Sequence, residues 1–232
     1  MSDNAHNIAP RVATYPVGST PAVAEPGWIT LAQLVPAPGS SVVFGDGSHP
    51  TTRLCAAALD SLCRRRQPER RDAGQPERSE GNPEKRQRRD SGRDAGQPES
   101  VLDVGTGTGV LARIARARGA RFIVGTDIDP AALSCARAHS DLDAHPVEIL
   151  LSPEAPDHWG ARFDLVVANI LEAPLRALAP ALRGALRPGG LLLISGFTRP
   201  QTPALRVLYE NAGLTLLGQS SLDGWSLLTF VL

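Results

Sequence analysis

Val101-Leu102-Asp103-Val104-Gly105-Thr106-Gly107-Thr108-Gly109-Val110-Leu111 is the stretch that decides the fold. A run suited to a buried strand meets three alternating glycines, and the residues after them open a helix. Glycine lets such a turn take positive φ and lets a ligand come close to the backbone. The amino end of the following helix offers N–H groups without helical partners. Taken alone, the stretch also reads as a tight strand–helix turn that binds nothing.

Two ligand classes compete for it. A dinucleotide fingerprint, G-x-G-x-x-G/A, can be laid on Gly107-Thr108-Gly109-Val110-Leu111-Ala112, but its first glycine then falls two residues past the strand. The earlier register puts Asp103 at the strand end, two residues before Gly105. A carboxylate there repels a pyrophosphate and suits a cationic amino-acid tail. S-adenosylmethionine has such a tail, and its carboxylate can take N–H groups from the turn. Asp103, Gly105 and Gly107 are the expected cofactor contacts.

Outward from the turn, strands and helices alternate. Strands are predicted at 100–104, 121–127, 147–151, 163–168 and 191–195, and helices at 110–118, 130–139, 174–186 and 203–211. Two strands near 214–217 and 225–231 close the chain. Asp129 reads as the cap of its helix, and Pro180 with Gly184 predicts a kink in the helix at 174–186. Arg187-Pro188-Gly189-Gly190 reads as a turn into a strand. Upstream, 51–62 reads as a helix with a Thr cap and Leu54, Ala58, Leu59 and Leu62 on one face. This alternation implies an α/β fold, a mainly parallel sheet with helices on both faces and a ligand beyond the carboxyl ends of its strands.

Three further positions carry chemistry. Asp127 ends the second strand, where a carboxylate can accept hydrogen bonds from both ribose hydroxyls; capping the next helix is its alternative role. Asn169 ends the apolar strand that begins at Phe163. Its carbonyl could hold an N–H of an incoming amine and aim the lone pair at a sulfonium methyl, and helix capping is again the alternative. Gly45-Asp46-Gly47-Ser48-His49-Pro50-Thr51-Thr52 sets a His and two hydroxyls before the first helix. No second His or Cys stands near enough to suggest a metal.

Residues 65–99 contain Arg-Asp-Ala-Gly-Gln-Pro-Glu twice, at 71–77 and 93–99, and lack Leu, Ile, Val, Phe, Trp and Tyr. A segment that buries no apolar area cannot offset its ordering entropy, so a disordered insertion is expected. A basic tether to an RNA surface is the alternative. The chain is neutral, with 24 basic and 24 acidic residues among 232. Outside the insertion it is slightly acidic, which gives no reason to expect nucleic-acid binding. Three cysteines in no CxxC pair argue against a disulfide framework and a zinc site, and fit the cytoplasm. No apolar run suits a membrane span, and no secretion signal is expected at the N-terminus.

With these residues in view, the chain resembles the ribosomal protein L11 methyltransferase family over roughly 42–232. FGDGSHPTT resembles that family's FGTGTHPTT, and DVGTGTGVLA its DxGCGSGILA. GTDIDPAAL resembles GxDIDPxAI, and VVANILEAPLRALAP resembles VVANILAGPLRELAP. The resemblance implies a Rossmann-like class I methyltransferase with a seven-stranded, mostly parallel sheet and an antiparallel final strand. It implies transfer of methyl groups from S-adenosylmethionine to amino groups of a protein, a ribosomal protein or another lysine-bearing substrate. Thr52, Gly105, Asp127 and Asn169 match its cofactor-contacting positions, and Asn169 lies in the segment lining the methyl-transfer site. Asp46 departs from the family's Thr, and Thr106 and Thr108 from its Cys and Ser. The family's N-terminal substrate-presenting domain is expected to be missing, since 1–40 reads as mostly irregular apart from a strand candidate at 28–35. The methyltransferase domain is expected at 41–232, interrupted at 65–99. Cofactor binding without transfer, or transfer to a small molecule, stays open from the sequence.

Overall fold

A computed structural model describes residues 47–64, 98–143, 145 and 148–232. The strand candidate at 28–35 and nearly all of the expected insertion lie outside the described residues.

The elements run in this order: α1 (Pro50–Arg64), β1 (Ser100–Val104), α2 (Val110–Ala117), β2 (Phe122–Thr126), α3 (Pro130–Leu142), β3 (Ile149–Ser152), β4 (Phe163–Asn169), α4 (Glu172–Ala185), β5 (Leu186–Thr198), α5 (Thr202–Asn211), β6 (Thr215–Leu222) and β7 (Trp225–Val231). The sheet order is β3-β2-β1-β4-β5-β7-β6. Neighbours from β3 to β5 pair in parallel, and β7 runs antiparallel to both β5 and β6. The expected Rossmann-like α/β fold is therefore the fold found. Strand order reverses between β1 and β4, which opens a crevice at their carboxyl ends.

Alternation along the strands sorts the core into two layers. Val101, Ile123, Leu165, Val167 and Leu193 face Leu54 and Leu59 of α1 and Val110, Leu111 and Ile114 of α2. Leu102, Val124, Val166, Leu192 and Ile194 face Leu175 and Leu182 of α4 and Leu205 and Tyr209 of α5. β1 is anchored at its start by Asp164 Oδ2, which accepts from Glu99 N at 2.8 Å and Ser100 N at 3.0 Å. That fixes where the glycine turn emerges relative to β4.

The helix expected at 174–186 runs from Glu172 to Ala185 with Pro180 inside it, on its exposed side, where water can satisfy the carbonyl that proline leaves unpaired. Two local expectations change. The expected turn at Arg187–Gly190 lies within β5. Phe163 pairs with Leu186 and Leu165 with Leu191, so the extra residues bulge out, with Gly189 at φ 77°. The first helix begins at Pro50 rather than after a threonine cap, and His49 Nδ1 lies 3.4 Å from Thr51 N as acceptor. The two closing strands form a hairpin on Asp223-Gly224, whose φ values of 50° and 83° suit a type I′ turn.

α2 and α3 are tied by two buried arginines that share one carboxylate. Arg113 donates from Nε and Nη2 to the two oxygens of Asp143, each at 2.7 Å, and Arg116 Nη2 donates to Oδ2 at 2.6 Å. Burial pushes the Asp143 carboxyl up, but the hydrogen bonds and charges of both arginines outweigh it and hold the carboxyl below its usual value. This stabilisation is present above the unfolded-chain value and fades as pH falls through the folded one. Asp143→Asn removes the carboxylate that Arg113 and Arg116 share and should cost about 2 kcal/mol in urea unfolding near neutral pH. The gap between parent and variant should narrow below about pH 4.

Candidate active site

The site grows out of the end of β1. Gly105 N and Thr106 N both donate to Thr126 O, at 2.8 and 2.9 Å, which folds the turn onto the end of β2. Gly105, Gly107 and Gly109 take φ values of 70°, 54° and 78°, a region that strains any residue with a Cβ. Gly107 N donates to Asp127 Oδ2 at 3.0 Å, and Asp127 Oδ1 accepts from Asp129 N at 3.0 Å. Each oxygen of Asp127 keeps lone-pair capacity, so the half-buried carboxylate can take further donors. Asp129 caps α3 as expected, accepting from Ala131 N at 2.8 Å.

Asp103 lies beneath the turn. Its Oδ2 accepts from Thr106 Oγ1 at 2.7 Å and from Ala112 N at 3.1 Å, and the residue is 1% exposed. It therefore braces the turn and the first residues of α2 from inside. Desolvation pushes its carboxyl up to about 6, against the hydrogen bonds from Thr106 and Ala112 and with help from the charge of Asp127.

Across the crevice, Asn169 ends β4, and its Nδ2 donates to Thr52 Oγ1 at 3.3 Å. Thr52 comes from the buried first turn of α1. Two residues 117 positions apart thus meet at the carboxyl edge of the sheet. The next residue, Ile170, is gripped from both sides. A Cβ on Gly105 would lie 2.2 Å from Ile170 Cγ2, and a Cβ on Gly196 would lie 2.1 Å from Ile170 O. Of the expected site residues, the structure joins Gly107 to Asp127 and Thr52 to Asn169, sets Gly105 against the neighbour of Asn169, and keeps Asp103 below them.

Two positions at this edge went unread. Ile128, after Asp127, is 94% exposed, an apolar surface beside a polar acid. Trp225 packs against His49 with ring centres 4.8 Å apart and planes at 70°. The signal for Trp225 was the Asp-Gly dipeptide before it, which marks a hairpin returning to the edge. Among the described residues no group of three or more His, Cys, Asp or Glu could hold a metal.

The family model for ribosomal protein L11 methyltransferase (PrmA) matches residues 37–232. The chain belongs to this ribosomal protein L11 methyltransferase family. It is 33% identical over 189 residues to the family's protein from Hydrogenovibrio crunogenus, covering 82% of this chain and 52% of that protein. It is 34% identical over 215 residues to the one from Geobacter sulfurreducens, covering 90% and 59%. The chain thus spans a little over half the length of these curated relatives. A crystal structure of ribosomal protein L11 methylase from Lactobacillus delbrueckii subsp. bulgaricus superimposes with a TM-score of 0.61 at 25% identity, covering 83% of this chain and 81% of that one.

Within this L11 methyltransferase framework the glycine turn is sterically exacting. Gly105→Ala should destabilise by about 2–4 kcal/mol in urea unfolding, from positive φ and the collision with Ile170. Adding Ile170→Ala should recover part of that loss, because the colliding methyl is gone. Asp103 has a separate signature. The folded chain holds its proton more tightly than the unfolded chain, where Asp titrates near 3.9. This group therefore lowers stability as pH rises from about 4 to 6. Asp103→Asn keeps an oxygen for Thr106 and Ala112 and should flatten that limb in thermal unfolding followed against pH.

Proposed function

We propose that this chain is an S-adenosylmethionine-dependent methyltransferase acting on an amino group of a protein, ribosomal protein L11 or another lysine-bearing protein, in the cytoplasm. We assign the catalytic domain to 41–232, interrupted at 65–99. The observation that carries the reading is the pairing of Asn169 with Thr52 across the crevice from the Asp127-bound glycine turn. Membership of the L11 methyltransferase family supports the same reaction.

The residues fit the cofactor's chemistry. Asp127 has lone pairs left for two ribose hydroxyls. Gly109 begins α2 with no side-chain cap, so the N–H groups of Val110 and Leu111 in its first turn can receive a carboxylate. Gly105 and Gly107 keep the floor free of side chains. Ile128 offers an apolar face for an adenine ring. Asp103 adds negative potential under the turn, on the side suited to an ammonium group. Bound S-adenosylmethionine supplies an electrophilic methyl carbon.

The chain's own residues do the rest by positioning. Thr52 accepts from the Asn169 amide nitrogen and so leaves the Asn169 carbonyl oxygen for an N–H of the acceptor amine. Leu171, 70% exposed at the same edge, gives the lysine methylenes an apolar wall. A lysine amine with its ordinary pKa of ~10.4 is a cation at neutral pH. Desolvation against Leu171 and Trp225 favours the neutral form, which carries the nucleophilic lone pair. The proton it sheds goes to water. Holding two reactants in line can supply roughly 7–11 kcal/mol of barrier reduction, enough for a site without a dedicated base.

Asp127→Ala should abolish S-adenosylmethionine binding measurable by calorimetry. Asn169→Ala should leave the dissociation constant within about threefold and cut methyl transfer to purified ribosomal protein L11 by about 100-fold, the size expected for a misplaced reactant. Both variants binding and turning over like the parent would overturn the assignment. Labelled methyl appearing in a small molecule of a lysate, with none in protein, would overturn the substrate class.

A further inference from the structure

Thr52 reaches Asn169 from α1, and residues 65–99 separate α1 from β1 in the sequence. Tertiary contacts must therefore place the Thr52 hydroxyl. At the start of α1, His49 joins one of them, its ring contact with Trp225, to three local contacts within the first turn. Its Nδ1 lies 2.8 Å from Thr51 Oγ1 and 3.4 Å from Thr51 N, its carbonyl accepts from Arg53 N at 3.1 Å, and its ring meets Trp225 edge to face. Trp225 is itself fixed, since it pairs with Leu222 across the hairpin and with Thr198 of β5. Thr51 and Thr52 are 4% and 2% exposed, so the first turn of α1 is packed in place. An unbroken series of contacts runs from Trp225 through His49 and the first turn of α1 to Thr52 and Asn169.

We propose that His49 is a positioning residue for methyl transfer: seated on Trp225, it sets the first turn of α1 so that Thr52 Oγ1 holds the Asn169 amide with its carbonyl oxygen toward the acceptor amine. The proposal rests on the methyltransferase reading for its effect on turnover, but its structural half stands without it. The Nδ1 of His49 is engaged by Thr51, so a proton-accepting role would fall to Nε2, and the pH–rate profile tests for it. Small displacements of a reactant's support are enough to matter, since a shift of about 1 Å can cost on the order of 100-fold in rate.

The test uses the full chain with His49→Ala, His49→Asn, Trp225→Ala and the double variant His49→Ala with Trp225→Ala. The first readout needs no substrate: the side-chain amide signal of Asn169 in a proton–nitrogen spectrum, identified by its loss in Asn169→Asp. His49→Ala and Trp225→Ala should both move it, and the double variant should move it no further than either alone. Turnover on purified ribosomal protein L11 should fall about tenfold in kcat, with KM and the S-adenosylmethionine dissociation constant within about threefold. His49→Asn keeps an acceptor for Thr51 but lacks the ring, and should fall between parent and His49→Ala. The pH–rate profile should keep its shape throughout. An unmoved Asn169 signal in His49→Ala overturns the proposal. So does loss of one limb of the pH–rate profile in His49→Asn, which would make His49 a proton acceptor. If His49→Ala does not fold, the Trp225→Ala and His49→Asn spectra decide. If the parent methylates nothing, the catalytic reading fails and the amide signal still judges the positioning.

Discussion

Ile170 is the wedge on which the site depends. It sits between Gly105 and Gly196, both at positive φ, and a single added Cβ on either would run into it. This contact brings the ends of β1, β4 and β5 together at backbone distance. Only glycine allows the approach, and only the approach puts Asn169 opposite the turn. The pairing of β1 with β4 sets the same geometry from below, through Asp164 on the amides of Glu99 and Ser100. The crevice is thus defined from both ends of the strands, and few loop residues are asked to hold it.

The acids divide the work by depth. Asp127, half buried, ties the turn to β2 and keeps capacity toward solvent. Asp103, buried, spends one oxygen on Thr106 and Ala112 and shapes the turn from within. Thr106 matters to that arrangement. It stands where the family pattern has Cys, and its hydroxyl makes a short bond to Asp103 that a thiol makes weakly. The departure noted in the sequence is therefore a local exchange of one turn support for another.

Much of this was legible from residue order. The strand–helix alternation gave the doubly covered sheet, and the three glycines gave a turn at positive φ between β1 and α2. Each of these signals is local or periodic. What escaped was non-local. The bulge at Arg187–Gly190 reads as a turn until pairing with Phe163 and Leu165 is seen. The depth of Asp103 depends on Ala112 N reaching back to it. The contact of His49 with Trp225 joins opposite ends of the described chain, and neither residue announces the other.

The docking of α1 carries a last implication. This helix packs mainly on β5, β6 and β7 and on α2. During synthesis it leaves the ribosome well before its partners do. A growing chain that has completed β1, the glycine turn and β4 has not yet released β6 and β7, two of the strands on which α1 rests. The seat of the helix that carries Thr52 is thus finished by strands far downstream of it.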